Sequence, residues 1–517
     1  MYMKEDLGKE DIGTIVSTPE GPSPSSVDFV VNEGVVHRGQ FVEMDYSEGT
    51  LVALVNDVVK TNRYFERAES VKEFEASGKK LFDQFPTSEW EYLLARTRPL
   101  GVYAGSQLKR PTFPPSPGTK VRIANANTLK SFLGFAEDGL FLGSVEFHDL
   151  LVRLPLSRLL QKHLAILAMS GAGKSYLVSV LFEELLNRRK EQGRLAVVVL
   201  DAHGEYTSFA EQATKKEFTD YSTQTKLVKA RDVRIGVPKL NIGLIANIIP
   251  GLSTPQKRDL ERVLNRLRRE LRNGMEPFNL STLQAEIVKD EEINEATRKV
   301  LMSWILSLEE LHLFDRTDNP SLYDIVEPGV LTVIDLSEVI DLRKKQIIVA
   351  YFAQKMFSDR RAKKIPPFAL VLEEAHQFIP EKVSREGAIS RSIMRTIARE
   401  GRKFGASLVL ISQRPIQLDT TTLSQCGTQI ILRVTNPYDL DHIGKSAEGL
   451  DRRSLDMITS LRVGEALMIG EAVNYPVFFR VRKRVSMESR HEVPLEKAAL
   501  DFEEKKDARL DEAEEFL

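Results

Sequence analysis

One cysteine, Cys426, in 517 residues excludes an internal disulfide and any cysteine-built zinc site, and such scarcity suits a reducing compartment. The eight histidines are scattered singly with no recurring ligand spacing, so no metal cluster built on them is expected. No run of about 18 apolar residues occurs, which leaves no candidate for a membrane-spanning helix. Residues 1–6 (MYMKED) lack the apolar centre of a signal peptide, and a cytoplasmic location is the expectation. Neither sign of charge is in excess: 72 Lys and Arg against 74 Asp and Glu leave a net charge of −2, so the chain as a whole is not a basic nucleic-acid coat. No Asn-Lys-x-Asp stretch is present, which removes the guanine-reading element of a GTPase.

What is present begins with residues 164–175, LAILAMSGAGKS. This reads as a buried strand, a loop of small residues ending in Gly-Lys-Ser, and the start of a helix. The pattern G-x-x-x-x-G-K-[ST] is met everywhere except at Ala168, which stands where the first glycine would be. Gly171 and Gly173 allow the backbone to curl so that successive N–H groups face one anion, and the helix adds its positive end. The loop Ser170-Gly171-Ala172-Gly173, with Lys174, Ser175 and Tyr176, is the candidate cradle for ATP. Lys174 is assigned to the β- and γ-phosphates and the Ser175 hydroxyl to Mg²⁺.

Some 200 residues later, 368–376 (FALVLEEAH) is an apolar strand ending in two adjacent carboxylates, the pattern of a Walker B element. Glu373 is the candidate metal-side acid and Glu374 the candidate general base for the attacking water. Aspartate is the usual residue at the first of these places, and Glu373 adds a methylene. A second apolar strand, 407–411, ends in Ser412-Gln413, and Gln413 is the candidate sensor of the γ-phosphate. Just before it, 398–405 (AREGRKFG) presents Arg399 and Arg402; an arginine reaching a neighbouring subunit's γ-phosphate would steady transition-state charge. The strand after the P-loop helix ends in 201–206 (DAHGEY), where Asp201 and Glu205 are placed to assist the metal or the water, and His203 reads as structural.

Three charge runs stand out. Residues 256–273 carry seven basic and three acidic side chains, 382–403 seven basic and two acidic, and 495–517 nine acidic and four basic. Each alone reads as a solvated helix face.

In chain order, residues 1–20 read as loosely ordered. Short β-type runs at 27–31, 40–46, 51–59, 100–104, 121–124 and 140–145, with turns between them, predict a small β-barrel or sandwich, interrupted by a helical stretch at 63–94. The boundary falls at 149–158, giving an N-terminal β-domain over 1–150. Unbroken apolar strands at 164–168, 195–200, 331–336, 368–372, 407–411 and 429–434 alternate with helices such as 175–191 and 344–357. That pattern predicts a doubly wound α/β core with a mostly parallel sheet over 151–485, carrying an all-helical insertion at 243–316. An acidic tail, helical by expectation, fills 486–517.

The P-loop AMSGAGKS, the strand end DAHGEY, the Walker B sequence VLEEAH, then REGRKFG and ISQRP, in that order, resemble the HerA family, archaeal hexameric DNA translocases of the wider FtsK–HerA ATPase class. The similarity spans nearly the whole chain, and the N-terminal domain is similar to the HAS barrel of that family. The resemblance implies a RecA-like core and a homo-hexamer that uses ATP and Mg²⁺ to pump double-stranded DNA through its channel. It implies a NurA-type nuclease as partner in resecting broken DNA ends for recombination, with no membrane attachment. It also carries over Lys174 and Ser175 as nucleotide and Mg²⁺ contacts, Glu373 and Glu374 as the acidic pair, Gln413 as sensor, and Arg399 or Arg402 as the finger. Channel-facing loops would touch phosphates without reading bases, and 382–395, with Lys382, Arg385 and Arg391, is one candidate. Two other classes share a P-loop: a motor at a membrane secretion system, and a nucleotide-switched scaffold with little turnover. The adjacent acids argue against the scaffold, which has no use for a placed base.

Overall fold

The computed structural model describes residues 10–19, 21–32, 36–62, 65, 68–76, 90–105, 107–249, 251–382, 388–447, 450, 452–488, 495–497 and 499–503. The chain divides into two compact units. One comprises Met1–Leu159, Leu167–Gly173 and Gly427–Arg482; the other comprises Leu160–Ile166, Lys174–Cys426 and Lys483–Leu517.

The first unit opens with β1 (Asp11–Ile15), β2 (Val27–Val31), β3 (Phe41–Tyr46), β4 (Gly49–Asn62), β5 (Glu91–Ala104), β6 (Gln107–Lys109) and β7 (Lys120–Ile123). Their order is β2-β1-β7-β3-β4-β5, and β2 pairs back onto β5, so six antiparallel strands close into a barrel with β6 added beside β5. Closure removes the free edges that an open sheet of this size leaves. Alternation decides which side chains fill it: Val27, Phe29 and Val31 of β2 point inward and meet Val42 and Met44 of β3. Two expectations fail here. Residues 11–15 form a strand, not a loose end, because β2 and β7 flank them on both sides. Of the helical stretch expected at 63–94, Ala68–Ala76 is a helix, but 91–94 belong to β5, where pairing with β2 and β4 overrides the local pattern; 77–89 lie outside the described residues.

The strand at 140–145 was expected in the barrel as well. It is instead β8 (Leu140–Val145), hairpinned to β9 (Leu151–Leu154).

In the second unit, β10 (Leu164–Leu167), β11 (Ala196–Asp201) and β12 (Thr225–Lys229) are followed by the two-residue strands β13 (Ile235–Gly236) and β14 (Phe314–Asp315). Then come β15 (Leu331–Asp335), β16 (Phe368–Leu372) and β17 (Ala406–Ser412). The sheet order β12-β15-β11-β16-β17-β10 is that of a RecA-like core, with β12, β15, β11, β16 and β17 parallel in register. All five residues of β16 and all seven of β17 are buried. Each large aliphatic side chain so covered contributes about 1.5–3 kcal/mol. The P-loop helix Lys174–Leu186 is buried nearly all round rather than along one stripe, as a helix lying within the core must be. The expected all-helical insertion at 243–316 holds the helices Ile242–Ile248, Thr254–Arg272, Leu280–Lys289 and Glu295–Glu309, but its end is strand β14, which pairs with β13. Each helix starts on a side-chain cap: Asn241, Ser253, Asn279 and Asn294.

Back in the first unit, β18 (Thr428–Ile431), β19 (Glu465–Gly470) and β20 (Val477–Val481) run antiparallel, and β20 pairs with β8 through Phe479 and Val145. The second partner of β8, after β9, thus lies more than 300 residues away in sequence, which is why local pattern assigned that strand to the barrel. Of the acidic tail, 504–517 lie outside the described residues.

Candidate active site at the carboxyl ends of the parallel strands

Register assembles the site. Leu200 of β11 pairs with Leu372 of β16, and Leu372 with Leu410 of β17. Asp201, Glu373, Glu374 and Ser412 therefore emerge at one sheet edge, the carboxyl end where open parallel sheets hold their ligands. The P-loop leads there from β10. Gly171 and Gly173 have φ of +75° and +96°, a backbone that residues with a side chain adopt at a cost, and the helix begins at Lys174. Ser170 and Gly171 are exposed and Ala172 is buried, so the loop turns its outer face to solvent. Ala168, in place of the first glycine, is buried at the strand end.

Lys174 and Glu374, 200 residues apart, form an ion pair of 2.7 Å with both side chains largely buried. Glu374 takes φ +49°, in the left-handed region. Such strain in a residue that is neither Gly, Asn nor Asp costs of order 1–3 kcal/mol and gathers at functional sites. Its second oxygen, Oε2, is buried without a hydrogen bond and lies 3.2 Å from Nδ1 of His376. The same ring nitrogen is 3.1 Å from Ser412 Oγ. Burial lowers the pKa of His376, against the raising effect of the Glu374 charge.

Glu373 is fully buried. Its Oε2 accepts the His203 backbone N–H at 3.1 Å, and its Oε1 lies 3.4 Å from His203 Nδ1. Burial alone would raise its pKa, but the contacts from His203 and Asp201 and the charge of Lys174 outweigh it and bring the value down to about 2. Burial and the charge of Glu373 push neighbouring Asp201 well above the ordinary carboxylate value. Burial, and again Glu373, raise Glu205, while its contact with Ser175 lowers it.

Asp201 touches Glu373 through its side chain. Its two oxygens accept the backbone N–H groups of His203, Gly204, Glu205 and Tyr206 at 3.3, 2.8, 3.1 and 2.8 Å. It is the staple of a turn, and that turn delivers His203 to Glu373 and Glu205 to the Ser175 hydroxyl. Replacing Asp201 by alanine leaves buried donors without an acceptor. Its expected cost is about 3 kcal/mol of stability, read as a lowered thermal midpoint, together with weaker Mg²⁺-dependent ATP turnover.

His203, read from sequence as structural, is brought to the acids. Among the described residues, ligand atoms of His203, Glu205 and Glu373 lie within 4.8 Å of one another. Ser175 Oγ, hydrogen-bonded to Glu205, adds a fourth donor. Three of these four donors are oxygens and two are carboxylates, the hard set that suits Mg²⁺. Sequence reasoning gave no role to His376 or Ser412, although both stand inside motifs it had singled out.

The remaining candidates are placed as follows. Gln413 is half-buried directly after Ser412. Arg399 and Arg402 are exposed on the helix Arg391–Phe404. The Tyr176 hydroxyl accepts the Arg484 backbone N–H at 2.8 Å, with the guanidinium 5.9 Å from the ring centre. Of the channel-loop candidates, Lys382 is exposed and Arg385 lies outside the described residues. Arg391 is spent on the carbonyls of Pro380 and Glu381. The basic run 256–273 is likewise partly used internally, Arg262 and Arg266 pairing with Asp290 and Arg266 with Glu286.

A parallel sheet with a P-loop, and two adjacent acids at the end of β16, one strand removed from the P-loop strand, define a RecA-like P-loop ATPase, an ATP-hydrolysing enzyme. The family model described as "Helicase HerA, central domain" matches residues 140–356. A probable helicase of Methanocaldococcus jannaschii is 30% identical over 476 residues, 86% of this chain and 86% of that protein. The DNA double-strand break repair helicase HerA of Pyrococcus furiosus is 28% identical over 524 residues, 88% of this chain and 90% of its own. Among solved structures, VirB4 of Thermoanaerobacter pseudethanolicus is similar over 67% of this chain and 97% of that one, with a TM-score of 0.49 and 16% identity. The chain belongs to the HerA family.

Proposed function

We propose that the chain is an ATP-driven DNA translocase and helicase of double-strand break repair. On this reading it works as a homo-hexamer that pumps duplex DNA through its channel and acts with a NurA-type nuclease in end resection. The observation that carries the ATPase half is the convergence of Lys174, Ser175, Glu373 and Glu374 at one strand edge. The DNA half is supported by relatives named as repair helicases that match nearly nine-tenths of the chain. The hexamer and the nuclease rest on the family resemblance. The exposure of Arg399 and Arg402 supports the hexamer, since a finger acting on a neighbour's nucleotide has to leave its own subunit.

In the proposed mechanism, the P-loop backbone of residues 170–173 binds the phosphates, and Lys174 exchanges its carboxylate partner for the β- and γ-oxygens. Tyr176 flanks the nucleotide. Ser175 and Glu373, with Glu205 close by, would hold Mg²⁺, which when bound neutralises charge on the β- and γ-phosphates. Glu374, released from Lys174, takes the proton of the attacking water. Gln413 contacts the γ-phosphate, and Arg399 or Arg402 of the adjacent subunit steadies the transition state. Among the described residues no helix is long and apolar enough to cross a membrane.

The test is the ATPase rate with and without linear double-stranded DNA at two salt concentrations. A several-fold stimulation that fades as salt rises is expected, because contacts to phosphate release counterions. Turnover indifferent to DNA at both concentrations would overturn the DNA reading while leaving the ATPase intact.

A further inference from the structure

Glu374 Oε2 is a buried carboxylate oxygen with no hydrogen bond, and Nδ1 of His376 lies 3.2 Å from it. That nitrogen lies 3.1 Å from Ser412 Oγ, the last side chain of β17. Ser412 Oγ in turn accepts the backbone N–H of Arg414 at 3.1 Å. The contacts therefore run without a gap from the Gln413–Arg414 loop, through Ser412 and His376, to the strained glutamate. Every side chain in that chain is at least nine-tenths buried: His376 and Glu374 are 10% and 2% exposed, and Ser412 is wholly covered. Burial matters because a polar contact withheld from water is worth more and is harder to replace than one at the surface.

We infer that His376 and Ser412 are positioning residues that pass the arrangement of the Gln413 loop to Glu374 and hold its free oxygen toward the attacking water. This rests on the reading of Glu374 as the general base. The mechanics follow from geometry. With Lys174 turned to phosphate, Glu374 Oε1 loses its partner, while His376 Nδ1 still lies 3.2 Å from Oε2 of the carboxylate. A shift of Gln413 toward a γ-phosphate moves the Arg414 N–H, which is bonded to Ser412 Oγ, and so moves the hydroxyl on which the imidazole rests. Hydrolysis is thereby tied to correct engagement of the sensor strand.

The experiment measures steady-state ATPase kinetics and binding of a fluorescent ATP analogue for the full chain, its His376→Ala, His376→Asn, Ser412→Ala and double variants, and Glu374→Gln in parallel. His376→Ala is expected to lower kcat by about 30-fold with KM and analogue affinity within about twofold, as for loss of an orienting contact. His376→Asn, whose amide can occupy the place of Nδ1, restores kcat to within about threefold. Ser412→Ala lowers kcat by about fivefold, and the double variant falls no further than His376→Ala, since the two act in series. A His376→Ala protein with normal kcat beside an inactive Glu374→Gln overturns the inference alone. A His376→Asn protein as impaired as His376→Ala also overturns it, assigning the residue to packing. A fully active Glu374→Gln brings down the underlying reading instead.

Discussion

Glu374→Gln is expected to lower ATP turnover by about 10³-fold, the range set by removal of a placed general base, while binding ATP at least as tightly as the native chain. The amide keeps the shape of the side chain and an oxygen for Lys174, but it cannot take a proton from water. It also carries no charge, so the 2.7 Å ion pair that occupies Lys174 becomes a weaker charge–dipole contact, and phosphate competes for the ammonium against a weaker rival. Two measurements separate these effects. Phosphate release reports the lost base, and titration with a fluorescent ATP analogue reports the affinity, which should rise by a few-fold. Turnover at the native rate would remove Glu374 from the mechanism. Lost turnover with lost binding would mean instead that the carboxylate organises the P-loop.

Lys174→Ala has the second large effect. Turnover should fall below detection and affinity for ATP by about 100-fold, because the point charge that meets the β- and γ-phosphates is gone. This substitution also strands Glu374, 1% exposed, without its ion-pair partner. Breaking a buried pair from one side costs about 3–5 kcal/mol, more than the pair itself is worth. The thermal midpoint of Lys174→Ala should therefore drop, and that of Lys174→Ala/Glu374→Gln should recover, although neither hydrolyses ATP. Full recovery would show that the lysine serves chemistry and that its only structural debt is to the glutamate. A double variant no more stable than the single one would place the stability of this edge elsewhere, the Asp201 turn being the next candidate.

The sequence alone made the core legible wherever chemistry and local pattern coincide. The P-loop reads directly because glycine adopts φ of +75° and +96°, as at Gly171 and Gly173, without the cost a side chain brings. The strands β11, β16 and β17 read directly because a strand covered on both faces has to be apolar throughout. The caps of the helical insertion lie in sequence as well, at Asn241, Ser253, Asn279 and Asn294. The same strand-end logic singled out Glu373, Glu374 and Gln413 as candidates, and passed over Ser412.

What tertiary structure decided was which groups meet. Pairing across more than 300 residues took Leu140–Val145 out of the barrel and joined it to Val477–Val481. Pairing of β2 with β5 closed the barrel, which no window of sequence contains. Asp201, read as a possible helper of the metal, became the staple of its own turn, and His203, read as structural, came to Glu373. His376 acquired a partner only because β17 lies beside β16 in register. Composition and periodicity determine which elements form, since they act over a few residues. Whether a carboxylate is a metal ligand, a base or a brace depends on the charges and donors within about 4 Å, and those come from strands the chain brings together only when it folds.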